Sequence, residues 1–279
     1  MSPSKKIIKL LAEVIAVSLI LLIVYGLASL IYGVSFVFGN SNKYESNITL
    51  INNNMIDKID NFIFKIDTDR TSITIKKSDS FNVETNNKNI SINYDNKTDT
   101  ISIKEKKLKM FNVYDIYDMT IYIPPTLFKE VDINSGAGDI TIDTLTTNKL
   151  DLNANAGKIS IDNLTVYMKA NIHTGVGRVN INGPLINNLK LTSGVGETNI
   201  KANLNGNNYL SSGVGNINLE ALQKRNLYTF NATKGVGDII IDGEKVKSGT
   251  NGSGPIKINL ESGIGKIDIK CKNEEVNEG

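Results

Sequence analysis

The chain has 279 residues, with 31 basic and 29 acidic side chains, one cysteine, one histidine and no tryptophan. The near-zero charge without a basic stripe excludes a nucleic-acid-binding surface. The lone cysteine excludes an intrachain disulfide, and the lone histidine a multi-histidine metal site.

In chain order, residues 1–13 carry Lys5, Lys6 and Lys9, and Val14 to Phe38 is an uncharged apolar run of 25 residues. As a helix that run is ~37 Å long, enough for one tilted membrane span. It closes on YGVSFVFGN, without a small-residue cleavage pattern, so it reads as an uncleaved anchor. The lysines ahead of it put the N-terminus in the cytoplasm and the remainder outside, with the lipid bilayer as the helix's partner. Residues 39–45 (GNSNKYE) form a short polar tether. Beyond the anchor, 28 basic and 28 acidic side chains balance.

Residues 46–130 read as an N-terminal β region, either the first coils of a repeat stack or a separate cap. Short period-two segments such as Phe62 to Ile66, Ser72 to Ile75, Ile101 to Ile103 and Met119 to Ile123 are bounded by Asn, Asp, Ser or Lys clusters.

From 131 to 270 one phrase recurs: apolar-x-apolar-x-(Ser/Thr)-Gly-x-Gly-x-apolar-x-apolar. Its structural turns are expected at Gly136 and Gly138, Asn155 and Gly157, Gly175 and Gly177, Gly194 and Gly196, Gly213 and Gly215, Gly235 and Gly237, and Gly263 and Gly265. The second members are separated by 19, 20, 19, 19, 22 and 28 residues. Asn155 replaces a glycine, which suggests a left-handed backbone at that place. The predicted fold is all-β: a parallel solenoid-like stack of about seven ~19-residue coils, ~30–35 Å long, behind one transmembrane helix. Turn chemistry also permits an antiparallel meander or sandwich, but the near-constant interval favours stacking. The long last interval reads as a loop, 245–254, ahead of a terminal coil that caps the stack. Residues 271–279 are a polar tail, with Cys271 at its start.

No chemistry-bearing constellation emerges. The Gly-x-Gly phrase lacks the third glycine and following helix of a phosphate cradle. The slot after each turn holds Asp139, Lys158, Arg178, Glu197, Asn216 and Asp238, with Lys266 in the last copy. A calcium ladder needs an acid at every coil, so this mixed row excludes one. It is instead the candidate binding row. Ser193 and Ser212 already serve as turn residues and depend on His173 for any triad. Catalytic residues, metals and cofactors are therefore not expected, nor is enzymatic activity.

The strand MTIYIPP (Met119 to Pro125), the SGAGDITID-type repeat and the closing GSGPIKINLESGIGKIDI (Gly252 to Ile269) together resemble the bacterial "putative adhesin" β-strand-repeat family over residues 62 to 270, and its membrane-anchored members beside Lia-type cell-envelope stress systems. The resemblance implies a surface-exposed β-repeat domain without catalytic residues. The expected function is a membrane-anchored extracytoplasmic binding or scaffold module in envelope stress sensing or regulation, with an envelope protein or wall component as partner. The alternatives are a cell-surface adhesin and, third, a wall-active enzyme.

Overall fold

A computed structural model describes residues 47–48, 61–106 and 116–272 of the chain. The chain divides into two compact units, residues 1–44 and 45–279, and every described residue belongs to the second. The apolar run 14–38, the cytoplasmic segment, the tether and residues 273–279 lie outside the described residues. Among those described, no helix is long and apolar enough to cross a membrane.

Local sequence builds each coil from two strands that meet at the Gly-x-Gly turn. In the first copy, Leu127–Ala137 leads into the turn and Ile140–Ile142 leaves it; Val131, Ile133, Ile140 and Ile142 point inward and are fully buried. The alternate residues face out, as the two-residue period of a strand requires. Copy by copy, pre-turn strand lies on pre-turn strand and post-turn strand on post-turn strand, in parallel. Val131 pairs with Leu150, Leu150 with Ala170 and Ala170 with Leu189, while Ile140 pairs with Ile159 and Ile159 with Val179. The repeats are thus a parallel stack, not a meander. A short return segment holding Phe128, Thr147, Val166 and Ile186 closes the coils and is buried too.

The two members of each expected turn pair play different parts, which corrects the reading of both as turn residues. The first members, Gly136, Asn155, Gly175, Gly194, Gly213, Gly235 and Gly263, still belong to the incoming strand and do not have positive φ. The chain turns at the second members, which lie just beyond that strand: Gly138 (φ +130°), Gly157 (+135°), Gly177 (+154°), Gly196 (+146°), Gly215 (+145°), Gly237 (+138°) and Gly265 (+149°). At Gly196 an added Cβ would stand 1.6 Å from the Gly177 carbonyl oxygen, so positive φ and close approach together leave room only for glycine. The inference of a left-handed backbone at Asn155 is corrected with the rest: the left-handed residue of that copy is Gly157, and Asn155 stays in the incoming strand without positive φ.

Two more coils join the seven. Ile63–Thr68 with Thr71–Lys77 forms one, and Thr100–Glu105 with Tyr117–Ile123 another. Residues 63–77 stack directly on the first Gly-x-Gly coil, with Phe64 against Val131 and Ile73 against Ile140. The N-terminal β region is therefore built into the stack, which is on the order of 38 Å long at ~4.8 Å per coil.

Neither end of the stack follows chain order. At the N-terminal end, Ile63–Thr68 lies between Thr100–Glu105 and Leu127–Ala137. At the other end, Ile256–Ile264 lies between Asn207–Val214 and Tyr228–Val236, and Ile267–Lys272 between Ile217–Lys224 and Ile239–Ile241. The turn at Gly265 accordingly sits between those at Gly215 and Gly237: the Gly265 carbonyl faces Gly237, and the Gly215 carbonyl faces Gly265. The last coil in sequence is thus inserted, not terminal, and the expectation that it caps the stack is overturned. The outer coil is capped by its own continuation: Glu244–Val246 and Gly249–Asn251 add antiparallel to its two strands. The opposite end is finished likewise, by Ile90–Asp95 on Thr100–Glu105 and Asn82–Thr85 on Tyr117–Ile123. Short antiparallel edges present less open backbone for foreign strands to join.

Aromatic rings fill both ends. Phe64 stacks on Phe128 at 5.6 Å between centroids, and Tyr228 on Phe230 at 5.4 Å. The buried Tyr228 hydroxyl donates to Gln223 Oε1 at 2.6 Å, and burial pushes its pKa up to about 12.

Candidate functional site: the outer face of the post-turn sheet

The structure places Asp139, Lys158, Arg178, Glu197, Asn216 and Asp238 on one edge of the stack, with Lys266 between Asn216 and Asp238. Successive carbonyls establish the order: those of Lys158, Arg178, Glu197, Asn216, Lys266 and Asp238 accept from Ile140, Ile159, Val179, Thr198, Ile217 and Ile267. Much of this row is occupied by internal bonding. Asp139 Oδ1 accepts the Lys158 N–H at 2.8 Å, and Asn216 Oδ1 the Lys266 N–H at 2.9 Å. Arg178 pairs with Glu197 at 3.4 Å and Asp238 with Lys245 at 2.7 Å, and the Lys245 ammonium holds the Asp238 carboxyl below its ordinary value.

Two residues further along each post-turn strand, side chains point outward from the sheet. There Asn180, Asn199 and Asn218 stack in register, followed by Asp268. Asn199 Nδ2 donates to Asn180 Oδ1 at 3.0 Å, and Asn218 Nδ2 to Asn199 Oδ1 at 2.7 Å. Every amide therefore points the same way, with its nitrogen toward the N-terminal end of the stack. The next outward row holds Asn182, Lys201, Glu220 and Lys270, with Lys201 and Glu220 paired at 2.8 Å. Between the two rows runs an open groove of about 430 Å³ with an amide floor and charged walls. This is a surface for polar, extended ligands: fixed amides give direction, and flanking charges of both signs give selectivity without strong net attraction.

Reading the sequence for chemistry missed this row. The signal was present, because the third residue after the second glycine is asparagine in three consecutive copies. A turn-centred reading singles out the residue beside the glycine, whereas the sheet face displays the residue two further on.

The remaining singled-out residues do not come together. His173 is exposed on the outer face of the pre-turn sheet, while Ser193 and Ser212 are buried and point inward. The two sides of one sheet separate them, so no triad forms. The buried hydroxyls of Thr68, Ser135, Thr174, Ser193 and Ser212 instead form an interior column beside the turns, with no hydrogen-bond partner among the described residues. Among those residues no group of three or more His, Cys, Asp or Glu could hold a metal ion. A second cavity, of about 520 Å³, lies at the C-terminal end of the stack against Arg225, Tyr228, Asp242, Cys271 and Lys272. Arg225 covers the Phe230 ring at 4.9 Å and faces Asp242 at 3.7 Å. Burial and the Asp242 charge push the Cys271 thiol up to about 12.

Comparison with known proteins agrees with this architecture. A "putative adhesin" from Bacteroides fragilis shares the fold at 21% identity and a TM-score of 0.52, over 83% of this chain and 98% of its own. A "putative cell adhesion protein" from Clostridium sporogenes aligns at 16% identity and a TM-score of 0.45, over 83% and 100%. No curated protein matches the chain. The Toastrack DUF4097 family matches residues 56–260, which span the stack from before its first described coil into the inserted one, and the chain belongs to that family.

Proposed function

We propose that the protein is a membrane-anchored, extracytoplasmic binding or scaffold module that acts in cell-envelope stress sensing or regulation. The observation that carries the binding role is the groove on the post-turn sheet, where Asn180, Asn199 and Asn218 form an aligned amide ladder beside Lys201, Glu220 and Lys270. The anchor rests on the apolar run 14–38 and the lysines before it. A tether of seven residues keeps such a module close to its bilayer. Its partner is then an envelope protein or a wall component, and the module works by contact, without catalysis.

The test is crosslinking in living cells, with a photoreactive residue at Lys201 of the full-length protein. Capture of a membrane sensor or transporter supports the regulatory reading, and Asn199→Leu should weaken that capture. Capture of external ligands or wall polymer alone sinks it.

A second reading, adhesion, draws on the names carried by the proteins of similar fold. Protease treatment of intact cells separates the two. Release of peptides from the stack favours adhesion, whereas protection until the wall is removed favours the membrane-proximal role.

A further inference from the structure

The middle residue of each Gly-x-Gly turn is apolar in all seven copies, although it lies on the surface edge. In stack order these residues are Ala137, Ala156, Val176, Val195, Val214, Ile264 and Val236, each in register with the next. The ridge is ~29 Å long at ~4.8 Å per step. Neighbours along it cover each other only in part: Ile264 has ridge residues on both sides and is still 45% exposed, and Val236 is 68% exposed. Beside the ridge, on its post-turn side, runs the polar row, which continues from Asp139 to Ser72 and then Asp118 on the two coils before it. In stack order the row is Asp118, Ser72, Asp139, Lys158, Arg178, Glu197, Asn216, Lys266, Asp238.

We infer that this edge is a self-association surface, where a second copy of the chain lies antiparallel, ridge on ridge, about a two-fold axis between the Arg178 and Glu197 coils. That register overlaps six of the seven ridge residues, Val176 on Val195, Ala156 on Val214 and Ala137 on Ile264, and leaves only Val236 without a ridge partner. It also sets Arg178 against Glu197 of the second copy, Asp139 against Lys266, Lys158 against Asn216, and Ser72 against Asp238. No like charges meet, and each opposite-charge pair occurs twice because the contact is isologous. A shift by one coil in one direction sets Asp139 against Asp238 and Lys158 against Lys266; a shift in the other sets Arg178 against itself. The charge pattern therefore rejects both neighbouring registers, including the one centred on Val195 that would overlap all seven ridge residues. Arg178 and Glu197 are already paired within the chain but remain 61% and 40% exposed, so they can join a four-charge cluster across the axis. A ridge one side chain wide buries well under ~1,000 Å², which makes this a weak, reversible dimer. It uses the turn edge and leaves the asparagine groove open, so it stands or falls separately from the binding role.

The test is sedimentation velocity on the full chain in mild detergent, over a concentration series. Wild type should dimerise with rising concentration. Arg178→Glu and Glu197→Arg should each stay monomeric, and an equimolar mixture of the two should recover dimers, because each variant then meets the opposite charge across the axis. Internal pairing is not restored in either chain, so recovery reports the intermolecular contact alone. Independently, in a Cys271→Ala background, Val176→Cys and Val195→Cys chains mixed under mild oxidation should crosslink to each other more than to themselves. A wild type that is monomeric throughout, a mixture that does not recover, or crosslinking without that preference overturns the inference.

Discussion

The carboxylate of Glu105 accepts the hydroxyl of Thr71 at 2.9 Å, from a strand 34 residues away in sequence. The same oxygen accepts the N–H groups of Asp69 and Arg70 at 2.8 and 3.0 Å, and its partner oxygen the Asn87 amide at 2.9 Å. The coil at 63–77 has no Gly-x-Gly, and this carboxylate from the neighbouring end coil organises its turn instead.

Glu105 is 8% exposed, so removing it leaves several buried donors without an acceptor. Glu105→Ala should cost about 3 kcal/mol, within the range for lost hydrogen bonds to a charged group plus desolvated donors. Urea unfolding checks this, and an unchanged midpoint counts against the clamp.

Glycines inside and outside the stack should separate cleanly. Gly196→Ala combines φ +146° with a Cβ 1.6 Å from a backbone oxygen, and should cost more than ~4 kcal/mol or prevent folding. Gly243 has φ +87° but no atom within 4 Å of its added Cβ, so Gly243→Ala should cost only ~1–2 kcal/mol, the left-handed penalty itself. Thermal denaturation of the two variants side by side gives the comparison.

Asp132 is predicted to make stability fall with rising pH. Burial and then the Asp151 charge raise its pKa above the ordinary 3.8, partly offset by the Asn134 amide and Lys65. The folded state thus binds this proton more tightly than the unfolded chain, and the protonated form's advantage disappears as pH rises through the folded pKa. Asp132→Asn should therefore raise the urea midpoint at pH 7 and change it little at pH 3. A loss of stability at pH 7 contradicts the assignment.

Cys271 should be a slow nucleophile in the folded protein. With its thiol pushed up to about 12, almost no thiolate exists at pH 8. Iodoacetamide labelling followed by mass spectrometry should be slow in buffer and fast in denaturant. Equal rates would mean that the end cavity does not shield the thiol.

A chain ending at Val246 loses both partners of Tyr228–Val236, the inserted strand and the antiparallel Gly249–Asn251. Hydrogen exchange should then lose protection over residues 228–246 while the coils from 131 to 200 keep theirs. Retained protection at 228–246 would show that this coil docks directly on Asn207–Val214.

Much of the fold was legible because its information is local and repeated. Ile140, Ile159 and Val179 occupy the same step of successive phrases, and stacking like on like buries each of them. Glu105 was illegible for the opposite reason: nothing near it in sequence marks it, and its partners arrive only when the end coil docks. The groove was half legible, since the asparagines recur with the repeat, but concavity belongs to the assembled sheet.

By itself the sequence determined the coil: two strands of period two, a Gly-x-Gly turn between them, and a spacing that permits parallel stacking. Tertiary structure decided which residue of each pair carries the turn, because a neighbouring carbonyl crowds both glycines and only the positive φ of the second, seen in the folded chain, separates them. It also decided the order of the coils at both ends. Connection length does not fix that order. The three residues Arg225–Leu227 carry the chain past the place that Ile256–Ile264 later fills, residues 124–126 carry it past the coil at 63–77, and the longer stretch from Val246 to Ile256 brings it back into the gap. Which coil ends the stack is settled by edge satisfaction. The coil at 228–241 is followed at once by Glu244–Val246 and Gly249–Asn251, which cover its open strands, whereas the coil at 256–272 has no such strands among the described residues and is satisfied by a neighbour on each side.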